Sequence, residues 1–154
     1  MAGRAGEGER IVKTVVLKAP IERVWRALTD HEEFGTWFKA KVDQPFELGR
    51  TQTGHITEPG YEYYKWRSTV VAMEAPRVFA FRWPHPRDPR ADSYEGEPET
   101  LVTFELEEVE GGTRLTITES GFEAVEASRR AERVRDNTQG WDAQAERIAA
   151  YLGA

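Results

Sequence analysis

Pro20-Ile21-Glu22-Arg23-Val24-Trp25-Arg26-Ala27-Leu28 decides how this chain is read, because it follows almost at once on the β-branched run Ile11–Leu17. A proline at the head of a helix loses nothing, since its missing N–H would be unpaired there in any case. Ile21, Val24, Trp25 and Leu28 then recur at i, i+3, i+4 and i+7, which makes one apolar stripe. Asp30, with Glu33 three residues on, has the capping-box pattern for a second short helix from His31 to about Phe38. Its apolar members are Phe34, Trp37 and Phe38. The opening strand is therefore followed by two short helices.

From Thr51 onward the pattern changes to strands. Residues 51–57, 61–75, 77–83, 99–108 and 113–120 read as strands, and Pro59-Gly60, Ala75-Pro76 and Gly111-Gly112 mark turns between them. Phe79, Phe81 and Trp83 share one face by strand parity, as do Val102, Phe104 and Leu106, and both sets are expected to point inward. The chain ends in a helical pattern from about residue 127 to 152. Val134, Thr138, Trp141, Ala145, Ile148 and Leu152 recur there at three- and four-residue spacing. Gly140 is expected to let that helix pass close to the sheet. An antiparallel sheet with one long closing helix can wrap around it and enclose a cavity, so the predicted class is α+β and the predicted task is holding an apolar or amphipathic small molecule.

The 154 residues suffice for one ordinary domain, expected over residues 10–152 behind a flexible, glycine-rich N-terminal tail at residues 1–9. A formal charge of -6 argues against a nucleic-acid partner, which needs a concentrated basic face. Arg129, Arg130, Arg133 and Arg135 do cluster, but Glu126, Glu132 and Asp136 are interleaved, which reads as a salt-bridged helix face. With no cysteine there is no disulfide framework or thiolate site. No apolar run reaches membrane-spanning length and the start lacks a signal-peptide core, so no membrane is expected as partner and the expected location is the cytoplasm. His31, His55 and His85 are the only histidines, and their spacing makes no ligand pair. Neither a metal nor another cofactor is expected. No serine sits in a nucleophile elbow and no glycine loop with lysine cradles phosphate, which argues against covalent acyl transfer and nucleotide hydrolysis by this chain.

Several strings taken in order resemble a known family. They are Ala19 to Asp30, Glu33-Phe34, Trp37-Phe38, Glu74-Ala75-Pro76-Arg77-Val78-Phe79-Ala80-Phe81-Arg82-Trp83, Thr113-Arg114-Leu115-Thr116-Ile117-Thr118-Glu119-Ser120-Gly121-Phe122, and Gly140-Trp141. Together they are similar to the START-like (SRPBCC) superfamily and, within it, to the domain named after the activator of the heat shock protein 90 ATPase. The likeness spans residues 10–152. It implies a helix-grip fold in which a curved antiparallel sheet grips the C-terminal helix, two small helices close one end, and ligands sit between sheet and helix. Superfamily members include lipid and hormone carriers, polyketide cyclases and co-chaperone domains, so fold alone does not name the function. The family name implies a chaperone, or another protein, as an alternative partner in a stress response. The superfamily's cyclase, aromatase and hydrolase members imply a further alternative, in which Glu119, His55 or Tyr64 would move protons. That alternative requires two of those groups to converge on one cavity.

Two departures from the family pattern stand out. Glu119 occupies a position where such domains often carry histidine, and the proline-rich stretch 84–98 is longer and more polar than a plain hairpin, fit to act as a lid. Glu119 shares parity with Leu115 and Ile117. Either it points into an apolar pocket with a raised pKa, or it sits at a strand end and meets solvent or an arginine. The candidate cavity set is Trp37, Phe38, His55, Tyr64, Trp66, Phe81, Trp83, Phe104, Glu119 and Trp141, where rings could stack on a flat ligand. Trp25 belongs to the same aromatic group, and each ring equally suits plain core packing. His55 is read as cavity-facing or as a surface imidazole, and His85 as exposed. The facing of Tyr64 and Trp66 stays open because a long strand of this kind often carries a bulge.

Overall fold

The computed structural model describes residues 10–153, so the expected N-terminal tail lies outside the described residues. The chain runs β1 (Ile11–Leu17), α1 (Ile21–Thr29), α2 (His31–Phe38), β2 (Ala40–Val42), β3 (Thr51–Ile56), β4 (Lys65–Glu74), β5 (Val78–Pro84), β6 (Glu99–Val109), β7 (Gly112–Ser120), a 3-10 turn at Phe122–Ala124, and α3 (Ala127–Tyr151). The strands form one antiparallel sheet in the order β1-β7-β6-β5-β4-β3-β2. This is an α+β helix-grip fold, with the sheet curved around α3.

The helical signals act as the sequence implies, with two refinements. Pro20 is the cap of α1, and Ile21, Val24, Ala27 and Leu28 are buried. Trp25, half-buried, meets Phe79 edge-on at 6.4 Å. Asp30 caps α2 by accepting from the backbone N–H groups of Glu32 (2.9 Å) and Glu33 (3.0 Å). The Glu33 side chain does not reach back to complete a capping box. Its carboxylate accepts instead from Arg23, Arg26 and the hydroxyl of Tyr151, which ties α1 and α2 to the end of α3.

Strand β2 is too short to show a period in sequence, and tertiary pairing creates it. It lies against β3 with Val42 opposite Gly54. A Cβ on Gly54 would stand 1.8 Å from the carbonyl oxygen of Lys41, so only glycine admits that approach. The expected long strand 61–75 starts at Lys65, and residues 61–64 form a turn. Its bulge falls between Val70 and Ala72, and Val71 is left exposed at 43%. Trp66, Ser68 and Val70 face inward ahead of the bulge. The inward faces at Phe79 and Phe81 and at Val102, Phe104 and Leu106 are buried as parity requires. Each such side chain contributes on the order of 2 to 3 kcal/mol through its burial.

Helix α3 presses Trp141, Ala145 and Ile148 onto the sheet. Gly140 departs from expectation: a Cβ there would have nothing within 4 Å. It does not serve close packing against the sheet; it borders empty space. Among the described residues, no helix is long and apolar enough to cross a membrane.

Candidate functional site

The curvature of the sheet leaves a cavity of about 530 Å³ between its inner face and α3. Phe38 from the end of α2, Trp66 from β4 and Trp83 from β5 supply its aromatic surface. Their rings form one edge-to-face set, with centroids 5.4 Å apart for Phe38 and Trp66, 5.9 Å for Trp66 and Trp83, and 6.1 Å for Phe38 and Trp83. Arg133, Asn137, Gly140, Gln144 and Arg147 face them from α3, spaced three and four apart as one helix face requires. Tyr61, 56% exposed, borders the space, as does Tyr64. Burial pushes the Tyr64 hydroxyl up, with the neighbouring Tyr94 second, so it stays a neutral phenol. A side pocket of about 90 Å³ continues from the main space past Phe38, Trp83, Asn137 and Gly140 to Trp141.

The polar groups at this site are largely committed. Arg147 pairs with Glu58 at 2.6 Å, and Arg133 with Asp136 at 2.6 Å. The Gln144 side-chain nitrogen donates to the carbonyl of Phe38 at 3.1 Å, while its buried oxygen Oε1 has no partner among the described residues. The indole N–H of Trp66 donates to Ser68 (3.0 Å), and Ser68 in turn donates to Gln52 (2.8 Å), a buried chain that fixes the Trp66 ring.

Glu119 is the electrostatic centre of this end of the fold. It is fully buried, and it is not part of the cavity lining. Its Oε2 accepts from Thr100 Oγ1 (2.6 Å) and Trp83 Nε1 (2.8 Å) and lies 3.2 Å from His85 Nε2. Its Oε1 accepts from Asn137 Nδ2 and Trp141 Nε1, both at 2.9 Å. Burial pushes this carboxyl up, but the donors, His85 and Thr100 foremost, outweigh burial and hold it below the usual carboxylate range. Both readings of Glu119 from the sequence therefore need correction. It meets neither solvent nor an arginine, and its pKa is not raised, because indole, hydroxyl, amide and imidazole groups surround it where apolar atoms were expected.

The other expected positions divide. Phe38, Tyr64, Trp66 and Trp83 line the main cavity, and Trp141 lines the side pocket. Trp37 is core, its indole N–H donating to the carbonyl of Ala27 at 2.9 Å. Phe81 and Phe104 are fully buried core at 5.8 Å from one another. His55 is exposed on the outer face of the sheet, opposite Lys41 in the β2 ladder, so it does not meet Glu119 or Tyr64 at any cavity. The convergence that proton chemistry by those three groups requires is absent.

Sequence reading missed His85, Thr100 and Asn137. His85 was expected to be exposed and is 2% exposed. A signal was present, since the inward series Phe79, Phe81, Trp83 continues by period two to His85. Thr100 stands two before inward Val102, and Asn137 four before Trp141. Of the stretch 84–98, only Pro84 and His85 line the cavity. The rest braces β4, the Tyr94 hydroxyl accepting from the backbone N–H of Lys65 (3.0 Å) and donating to Pro89 while Lys65 Nζ reaches Ala91, and the Tyr94 ring packs edge-on against the cavity-lining Tyr64 at 5.5 Å. Among the described residues, no group of three or more His, Asp or Glu side chains is arranged to hold a metal ion.

A family model described as Activator of Hsp90 ATPase homolog 1-like protein matches residues 18–153. No curated protein matches the chain. Among solved structures, protein Ms6760 from Mycobacterium smegmatis is 22% identical with a TM-score of 0.75, over 97% of this chain and 93% of that one. Protein MLL2253 from Mesorhizobium loti is 21% identical with a TM-score of 0.73, over 93% of this chain and 96% of that one. DynU16, a protein in the dynemicin biosynthetic locus, is 23% identical with a TM-score of 0.72 over 94% of this chain, which spans 47% of the length of DynU16. At such identities the likeness to these structures concerns the fold.

Proposed function

The chain belongs to the activator of Hsp90 ATPase homolog 1-like family, and we propose that it binds an apolar or amphipathic small molecule in the space between the sheet and α3, without chemistry of its own. The observation that carries this reading is Gly140. Glycine inside a helix costs about 0.8 to 1 kcal/mol relative to alanine. Here it stands in the middle of α3 with nothing within 4 Å of where a Cβ would be, bordering both the main cavity and its side pocket. The residue is exposed toward that space, so the helix leaves its opening unfilled at this position. The volume of about 530 Å³ also falls in the range of small-molecule sites, and aromatic rings beside a few placed polar groups are the usual lining of such sites.

Native mass spectrometry of the freshly purified protein, followed by thermal-shift screening against fatty acids, sterols, flavonoids and polyketides, tests the reading. A ligand at a hundred times its Kd stabilises by about 2.7 kcal/mol, which raises Tm by roughly 5 to 10 °C in a domain of this size. Gly140→Trp should remove the shift and leave the protein folded. A protein that retains nothing and responds to none of these compounds refutes the proposal. Docking to a chaperone rests on the family description alone.

A further inference from the structure

His85 is held on every side but one. Its backbone N–H donates to the carbonyl of Pro98 (2.8 Å), its carbonyl accepts from Arg129 (3.1 Å), and the edge of Phe122 meets its ring at 5.6 Å. Its Nε2 lies 2.8 Å from Thr100 Oγ1 and 3.2 Å from Glu119 Oε2. These contacts decide where the imidazole proton sits. An ionised carboxylate only accepts, so the single hydroxyl proton of Thr100 goes to Glu119 at 2.6 Å. Lone pairs of both oxygens then face Nε2, which must carry the hydrogen. Nδ1 has no hydrogen-bond partner among the described residues, and His85 lines the cavity. Glu119 acts as a positioning residue, fixing the tautomer through Nε2 much as the buried carboxylate of a catalytic triad orients its histidine.

We propose that His85, carrying its proton on Nε2, offers Nδ1 to the cavity as a hydrogen-bond acceptor in addition to Gln144 Oε1, and that the ligand class it selects is a planar aromatic molecule whose hydroxyl group donates to it. The inference rests on the cavity being a ligand site. The rings of Phe38, Trp66 and Trp83 offer faces and edges to a flat molecule, and an unpartnered acceptor beside them favours a donor over an isosteric hydrocarbon.

2-Naphthol and naphthalene provide the test, since they share shape and differ by one hydroxyl. In the 15N-labelled full chain, long-range proton–nitrogen spectra of His85 should show Nδ1 unprotonated, and 2-naphthol should move that signal where naphthalene does not. Affinities for both compounds are then compared in the wild type and in His85→Phe, which keeps a planar ring but removes the acceptor, with circular dichroism showing that the variant is folded. The preference for 2-naphthol should fall on the order of fivefold in His85→Phe, as expected for one neutral hydrogen bond. A protonated Nδ1, or a preference unchanged in His85→Phe, overturns the assignment of His85 and leaves the cavity reading standing. If neither compound binds the wild type, the aromatic ligand class is overturned, while the cavity reading is decided by the wider ligand screen.

Discussion

Replacing Glu119 by glutamine removes one negative charge and one acceptor oxygen from a fully buried position, and the loss can be worked out from its donors. Thr100, Trp83 and His85 point at one carboxylate oxygen, and Asn137 and Trp141 at the other. Whichever way the new amide turns, at least two buried donors then face an N–H₂ group. Each orphaned donor costs about 1 to 3 kcal/mol, so Glu119→Gln should destabilise by roughly 2 to 6 kcal/mol. For a domain of this size that corresponds to a Tm lowered by roughly 5 to 20 °C. Urea unfolding followed by tryptophan fluorescence reads it directly, with an unchanged m-value showing that only stability moved. The sign of the pH dependence follows from the same contacts. Burial raises this carboxyl, the hydrogen bonds lower it further than burial raises it, and the folded value lies below the unfolded 4.5. Its contribution is therefore complete above pH 4.5 and is lost as pH falls toward the folded value. The stability difference between wild type and Glu119→Gln should be flat at neutral pH and shrink in acid. A variant within about 1 kcal/mol of wild type, or a difference that grows in acid, would refute the reasoning, since either means that the native carboxyl is protonated.

Three further outcomes are expected. Gly140→Ala should stabilise the fold by up to about 1 kcal/mol, measured by thermal denaturation, because helix propensity improves and the new methyl meets no atom within 4 Å. A loss of stability would mean that the space beside α3 is filled in solution. Gly54→Ala should destabilise by roughly 1 to 3 kcal/mol or more, because its methyl collides with the Lys41 carbonyl; hydrogen exchange should show the β2–β3 ladder opening first, and normal protection there would contradict the close approach. Tyr94→Phe removes both hydrogen bonds of that hydroxyl, to Lys65 and Pro89, and should cost about 1 to 2 kcal/mol, with faster amide exchange at Lys65 as its local signature.

Much of the fold was legible because its signals are local. The stripe from Ile21 to Leu28, the Asp30 cap and the alternation at Phe79 and Val102 each report on neighbours three, four or two residues away, and those spacings hold whatever the rest of the chain does. Strand β2 was not legible, since three residues carry no period and the strand exists only where β3 pairs with it through Gly54. At the site, parity placed Trp83 on the correct face and left the facing of Trp66 open, and it could not separate Trp83, which borders a void, from Phe81, which is packed on all sides. That difference depends on where the sheet curves away from α3.

The chemistry divides in the same manner. Residue identities alone set the absence of thiolate chemistry, the apolar periods and the class of fold, because composition and spacing act along the chain. Only the tertiary structure decided that Glu119 would be a buried anion, that His85 would turn inward beside it, and that Gly140 would open space and not close it. Each of those outcomes depends on groups far apart in sequence, Trp83, Thr100 and Asn137 around one carboxylate, converging in a dry interior where a hydrogen bond outweighs the burial it opposes.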